Sequence, residues 1–281
     1  MIIFRKRFIA LLFLCVAQTA FCQNVEDEDA AVESKNGYTR YLGFGAGAAY
    51  RTALDEVMSP LRYSKIGATG AITNIKTDDL KYTELYFQGS YLELNRPSDE
   101  LVKSHMKALN GLMDYRHLYK LAVSFLNDGI FDVRAGGMFS TQFCYKKAEN
   151  LGYSSTITEY DISLGAAAKI AKQHFISERK SYLIWEMALP FVAAYSRPVY
   201  LNQPTILTND NNILTNAFAN NSFGTFGKFF RLNSRVSVLY PVKNGNKIRF
   251  TYQWDYYRMK AVSGKSYNIE HSFIIAFLFN Y

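Results

Sequence analysis

Histidine and cysteine are the side chains best suited to metal binding, and their spacing in this chain does not favour it. His105, His117, His174 and His271 are scattered along the sequence. No two of them have the short separation at which neighbouring ligands hold one metal ion. Cys144 has no partner cysteine near it in the sequence. We therefore expect no metal site and no other cofactor.

Nucleophilic catalysis would require a serine, a histidine and an acid that converge in space. His271 and Ser272 are adjacent, so their side chains would point to opposite faces of a strand. A set assembled from distant parts of the chain stays open at this point. On the residues alone, we predict a protein that is not an enzyme.

A short run rich in glycine, Gly43-Phe44-Gly45-Ala46-Gly47, invites comparison with a nucleotide-binding loop. It lacks the G-x-G-x-x-G spacing, and no helical pattern follows it. We interpret these residues as small ones that let a strand bend or pack closely.

The charged residues show the strongest pattern, because many of them alternate with apolar residues at the period of a strand. The alternation is clearest at 247–256, and it recurs near 226–238, 131–145 and 109–121. One face of these strands therefore carries acids and bases together. We predict that they form a charge network of Glu84, Asp114, Arg116, Lys120, Asp132, Arg134, Glu159, Asp161, Arg231, Arg235, Arg249 and Asp255.

The elements that position these charges are long strands. We predict about ten, near 40–51, 61–75, 81–95, 108–125, 130–146, 155–171, 181–196, 222–240, 247–261 and 268–281. Turn-forming residues occupy the connections at 76–79, 127–129 and 244–245. The connection at 173–180 is longer than a tight turn, and the one at 197–221 is the longest of all. This alternation of short and long connections is typical of outer-membrane barrels.

The first 22 residues read as a signal peptide, with bases at 5–7, an apolar core at 8–17 and small residues before a cleavage site near Cys22 and Gln23. Acylation of Cys22 is a second reading. Residues 23–37 are acidic, and we expect a disordered periplasmic leader there. The net charge of +8 is spread along the chain and gives no reason to expect nucleic acid as a partner.

Alternating strands suit either a soluble sandwich, with its apolar faces inside, or a membrane barrel, with its apolar faces toward lipid. Tyr and Phe are each present 21 times, the strands are long, and the last one ends on Tyr281. These features favour an all-β fold, a closed antiparallel transmembrane β-barrel over 38–281 with both termini periplasmic. In the last strand we expect lipid to contact Phe273, Ile275, Phe277, Phe279 and Tyr281. Its other side, with Ser272, Ile274, Ala276, Leu278 and Asn280, should face the lumen.

The glutamine at the expected mature start, the acidic leader, the aromatic strands and the Phe-Asn-Tyr end resemble the uncharacterised outer-membrane β-barrels common in Bacteroidota. The resemblance is one of pattern over the whole chain. It implies a location in the outer membrane, contact with its lipid, and assembly by the barrel-assembly machinery through the C-terminal strand. It transfers no catalytic residue.

We therefore expect an integral outer-membrane barrel with a narrow or plugged lumen and a structural role, a porin-like passage for small solutes, or a surface interaction. A surface partner would bind the loop at 197–221, whose residues are unusually apolar. The alternatives are an outer-membrane lipid-modifying enzyme or protease, and a soluble periplasmic β-sandwich or lipocalin-like binder. Against the protease stands the lack of any Asp-x-His or Asp-x-Asp sequence in the predicted barrel.

Overall fold

A computed structural model describes residues 37–56, 59–95, 105–122, 131–148, 156–176, 179–196, 221–261 and 264–281. The expected signal peptide and leader, the turn at 127–129 and almost all of the loop at 197–221 lie outside these ranges. Among the described residues, no helix has both the length and the apolar character needed to cross a membrane.

The described chain is almost entirely β-strand. In chain order the strands are β1 Thr39–Asp55, β2 Ser59–Thr77, β3 Lys81–Asn95, β4 His105–Lys120, β5 Phe131–Ala148, β6 Thr156–Ile176, β7 Arg179–Ser196, β8 Asn221–Gly224, β9 Phe229–Pro241, β10 Lys247–Ala261 and β11 Gly264–Asn280. The long strands follow from the dense supply of aromatic and β-branched residues, which favour extended backbone.

The strands close into a barrel with ten strand positions around the ring. Each strand pairs antiparallel with its neighbours in sequence, β1 pairs with β11, and the short β8 and the longer β9 share one position beside β7. Paired residues followed around the ring from Thr39 return to β1 at Arg51, so the strands are staggered as closure of a tilted barrel requires. The predicted closed antiparallel barrel is confirmed, and the β-sandwich alternative is wrong.

We call the end of the barrel with Thr39 and Asn280 the terminal end, and the end with Asp55 and Ser196 the far end. The strand boundaries differ from the predicted ones mainly in three places. β6 continues to Ile176 and β7 begins at Arg179, so the connection predicted at 173–180 shrinks to two residues.

The second difference concerns the eighth predicted strand, at 222–240, which is interrupted. A turn at 225–228 separates β8 from β9, and the backbone N–H groups of Lys228 and Phe229 both donate to the carbonyl of Thr225. The fourth strand also ends at Lys120 instead of 125 and begins earlier, at His105.

Two turns at the terminal end follow from local side chains. Asn244 and Gly245 adopt positive φ angles of 64° and 71°, as the predicted Asn-Gly hairpin turn requires. In the turn after β2, the carboxylate of Asp78 accepts hydrogen bonds from the backbone N–H groups of Leu80 and Lys81. These donors stabilise the ionised form and lower the pKa of Asp78.

The wall between β1 and β11 depends on glycine, as the small-residue interpretation of 43–47 predicted. A Cβ on Gly47 would lie 1.8 Å from the carbonyl oxygen of Phe273, and one on Gly43 would lie 2.3 Å from a methyl group of Leu278. These two strands carry the pairing that closes the ring. Close approach of backbone to backbone is therefore needed at the point of closure.

We expect Gly47→Ala to lower the free energy of unfolding by roughly 1–3 kcal/mol, the usual cost of overpacking. Gly89→Ala is the matched control, because a Cβ there would meet no atom within 4 Å. Urea unfolding in detergent micelles, followed by gel mobility without heating, measures the difference. Equal stability of the two variants would show that the wall can relax around the added methyl group.

Candidate functional site

The inner surface of the barrel is the candidate site, because polar and charged side chains point into it. Inward positions alternate with outward ones along each strand, as the burial of β3 shows over Tyr82–Leu94. Arg116, Arg231 and Arg235 are at most 1% exposed, whereas Phe250 and Phe273 on the outside are 47% and 62% exposed. This arrangement reverses that of a soluble sandwich.

The most closely knit part of the lumen is a group of four residues that we call the lumen quartet: Glu84, Glu186, Arg235 and Arg249. Glu84 pairs with Arg235 at 2.7 Å and with Arg249 at 2.8 Å. Glu186 lies 3.4 Å from Arg235 and 3.2 Å from Arg249. Each acid thus contacts both bases, and the four charges balance.

The lumen quartet spans the barrel instead of following its wall. Glu84 is on β3 and Glu186 on β7, while the two arginines are on β9 and β10. Hydrogen bonds from Thr73 to Glu84 and from Tyr82 to Glu186 complete the carboxylates, and the guanidinium of Arg235 lies 4.5 Å from the ring centre of Tyr86. A group held from so many strands fills the cross-section.

A second group lies farther toward the far end. Arg231 pairs with Asp255 at 2.7 Å and donates to the hydroxyl of Ser140 at 2.9 Å, and Ser140 in turn donates to Asp114. Arg116 pairs with Asp114 at 3.2 Å. Four predicted network members are therefore joined through one serine.

Two further ion-pair groups lie closer to the far end. Arg51 pairs with Glu270, and its guanidinium also lies 3.8 Å from the sulfur of Cys144. Lys146 pairs with Asp55 at 3.0 Å and with Glu159 at 2.8 Å, and all three side chains are 1% exposed. The inner surface is thus lined with paired charges along most of its length.

The remaining predicted members occupy less connected positions. Asp132 and Arg134 pair at 2.8 Å near the terminal end, where Asp132 is partly exposed. Asp161 is buried, and one of its carboxylate oxygens has no hydrogen-bond partner among the described residues. Lys120 was placed wrongly in the network: it is exposed at the last position of β4, and the described part of the chain gives it no ion pair.

Buried apolar side chains also line parts of the interior, beside the charged groups. Near the terminal end a buried cluster includes Tyr41, Ile75, Tyr82, Leu118 and Leu278. Toward the far end lie two more clusters, one with Leu92, Leu94 and Met106, and one with Tyr195 and Phe229. The interior of the described barrel therefore contains apolar clusters as well as paired charges.

The histidines on the strands do not join the lumen network. His117 contacts Thr83 at 2.9 Å and Tyr119 at 3.1 Å on the outer face, where strand parity placed it. His271 contacts the hydroxyl of Tyr252 at 2.7 Å, also on the outer face. Within the described ranges, no three His, Cys, Asp or Glu side chains are grouped so that they could hold a metal ion.

Apolar residues occupy the outer face of the barrel. On β11, Phe273, Ile275, Phe279 and Tyr281 are exposed, and Ile274, Ala276 and Leu278 are buried toward the lumen, as predicted. The closed ring, the apolar outer face and the polar lumen together define the fold. It is an outer-membrane type of β-barrel.

No family model matches the chain, and no curated protein matches it. Among solved structures, the chain is similar to the neisserial surface protein NspA, with 8% identity over 84% of this chain and 95% of that one and a TM-score of 0.32. The outer membrane protease OmpT of Escherichia coli has 8% identity over 87% and 96%, with a TM-score of 0.44. The β domain of the Bordetella autotransporter BrkA has 10% identity over 87% and 100%, with a TM-score of 0.34. The fold assignment rests on the strand pairing of this chain.

Sequence reasoning missed several lumen charges. Glu186 lies on a strand that looks apolar on both sides, Glu270 lies on the apolar last strand, and Asp55 lies beyond the predicted end of β1. Lys146 and Arg51 were the last residues of their predicted strands. Extending the period of two past the predicted end of β1 would have found Asp55, and applying it strictly within the predicted strands would have found the other four.

Proposed function

We propose that this protein is an integral outer-membrane barrel without enzymatic activity, whose lumen is locked by paired charges and does not conduct. Its role would then be carried out at the cell surface and at the lipid-facing wall. The observation that carries this proposal is the lumen quartet, because it ties four strands together across the lumen.

The size of the barrel supports the same proposal. Barrels that leave an aqueous channel have about 16–18 strands, and smaller ones fill their interior with side chains. Here long arginines and tyrosines are buried in the interior, together with apolar clusters. An ion that entered would have to displace charges that already have partners, and separating buried partners costs several kcal/mol.

The outer face supports a location in the outer membrane. Backbone groups in lipid must all be satisfied within the protein, and a closed barrel achieves this with strands. Aromatic side chains occupy much of the outward surface, among them Phe44, Phe250, Trp185, Phe273 and Tyr281. Signal-dependent export and periplasmic termini belong to the same proposal.

The described residues give less support to the enzyme alternative. Ser140 is bonded to Asp114 and Arg231, with no histidine beside it among the residues described. The histidines at 117 and 271 face outward, on the other side of the wall from that serine. A surface partner at the loop 197–221 remains part of the proposal.

Planar-bilayer recording of the purified protein tests the locked lumen. We expect no stable single-channel conductance from the unmodified barrel. A quadruple variant, with Glu84, Glu186, Arg235 and Arg249 all replaced by alanine, keeps the net charge and should conduct. Persistent conductance by the unmodified protein would refute the locked lumen, and a soluble fraction without heat-modifiable gel mobility would refute the membrane location.

A further inference from the structure

The wall between β7 and β9 combines an interrupted ladder with inserted residues, whereas the β2–β3 ladder is interrupted between Ser64 and Ala68 without an insertion. The β7–β9 ladder ends at the pair Ala188 and Asn233, and β7 resumes pairing only at Ala193, with Gly224 of β8. Among the described residues, 189–192 of β7 and 229–232 of β9 therefore face each other without ladder hydrogen bonds. We call this part of the wall the seam.

The sequence explains why the seam exists. Pro190 has no N–H to donate, and the β6–β7 register shifts beside it at Leu164 and Gly165. Phe191 and Val192 are consecutive yet both exposed, which marks a bulge in β7. The opposite strand carries four extra residues, which form the exposed turn at 225–228.

The two edges of the seam are held by different neighbours. On one side β7 stays paired with β6 on both sides of the bulge. On the other side Arg258 of β10 donates to the carbonyl of Phe226 at 3.1 Å, and the N–H of Lys260 donates to Lys228. Neither set of contacts depends on the ladder that is missing between the two edges.

Aromatic side chains cover the seam on both faces of the wall. Outside, the ring of Phe226 lies 6.0 Å from that of Phe191 and 6.3 Å from that of Phe230. Inside, the ring of Phe229 lies 5.9 Å from those of Tyr195 and Tyr257. The seam thus joins an apolar outer surface to a buried apolar cluster that also contains Ala193 and Met259.

Charges limit where an apolar molecule could go from that cluster. Arg231 follows Phe229 on the inward side of β9, and its pair with Asp255 lies on the way toward the lumen quartet. An apolar molecule would be less stable among those charged side chains than in the apolar cluster. The medium that borders the outer aromatic residues, under the proposed membrane location, is the bilayer.

We propose that the seam admits one acyl chain of a membrane lipid from the bilayer into the cluster of Ala193, Tyr195, Phe229, Tyr257 and Met259. This inference rests on the proposed outer-membrane location. The lipid headgroup would stay outside, because the side chains of Phe191, Phe226 and Phe230 at the outer opening are aromatic. The seam is then a lateral lipid-binding site in a barrel whose lumen is closed.

Tryptophan quenching by lipids with brominated acyl chains tests the proposal, because bromine quenches on contact. In a background in which Trp185 and Trp254 are phenylalanine, Phe229→Trp places the reporter behind the seam. Tyr86→Trp is the matched control, since Tyr86 is also buried in an inner cluster, and its strand β3 is paired without interruption on both sides there. We expect brominated lipid to quench the first reporter and to leave the second unchanged.

A disulfide bond across the seam, which can be reduced again, provides a second test of the proposal. In a Cys144→Ser background, Leu189→Cys with Leu232→Cys would bridge the seam, and Leu183→Cys with Val238→Cys would bridge the intact ladder of the same strands. The first bridge should remove the quenching of Phe229→Trp until it is reduced, and the second should not. Phe226→Ala should increase the quenching.

The outcomes distinguish a failure of the proposed membrane location from a failure of lipid binding at the seam. Trp185 is 45% exposed on the outer face, so brominated lipid should quench the unsubstituted protein if the barrel lies in the bilayer. No quenching there would refute the location itself. Quenching there without quenching of Phe229→Trp, or equal quenching of both inner reporters, would overturn the seam alone.

Discussion

Replacing Glu84 by glutamine is expected to lower the free energy of unfolding by about 3–5 kcal/mol, the usual cost of removing one partner from a buried ion pair. The substitution leaves Arg235 and Arg249 with one carboxylate between them, and all of these side chains are at most 5% exposed. Urea unfolding in micelles, followed by gel mobility without heating, measures the loss.

Glu93→Gln is the control for that experiment. It lies on the same strand, makes the same chemical change and is exposed, with a hydrogen bond from Tyr91 at 3.2 Å. A surface change of this kind should stay within about 0.5 kcal/mol. If the two variants unfolded at the same urea concentration, the lumen quartet would contribute nothing to stability.

Phe273→Arg is expected to destabilise the barrel by about 2–4 kcal/mol in a lipid bilayer, since a charge on the lipid face near mid-membrane costs that much. Under the proposed membrane location the site of Tyr281 would lie at the membrane interface, so Tyr281→Arg should cost only about 0–1 kcal/mol. The two residues are equally exposed, at 62%, and lie on the same outward face.

Refolding into lipid vesicles measures both variants without the assembly machinery of the cell. The difference between them is the informative quantity, because both replace an exposed aromatic ring by a base. A soluble barrel would show the same small effect at both positions. That result would contradict the lipid contact of the outer face.

The sequence predicted the fold well because a period of two survives in long strands. Arg249 and Phe250 fall on opposite faces by parity alone, and so do Asp132 and Val133. The ends of the strands were harder to predict, since charged residues there look like loop. In the structure Arg51 and Lys146 are each buried in an ion pair with an acid, although each was the last residue of a predicted strand.

The contacts across the lumen could not be predicted from the sequence. Parity places Glu84 and Arg235 inside, but nothing in the sequence sets the stagger that brings β3 opposite β9. Some opposite charges pair between neighbouring strands, as Arg231 does with Asp255. The pairs of Glu84 instead cross the lumen, because long arginine side chains reach over a narrow barrel.

The seam was also hidden in the sequence. Residues 222–240 keep their alternation of Phe230, Leu232 and Val236 against Arg231 and Arg235, and this pattern gives no sign of four inserted residues. Pro190 was the one local signal, since proline interrupts pairing in the middle of a sheet. Its effect could be recognised only once both neighbours of β7 were known.

The thiol of Cys144, which contacts Arg51 inside the barrel, can report whether the barrel is intact. The thiol is 3% exposed within the lumen, and it is the one cysteine in the described part of the chain. A water-soluble maleimide should label it only when the wall or the ends of the barrel give way. The labelling rate of the unmodified chain would therefore report how often the interior opens, with no engineered probe.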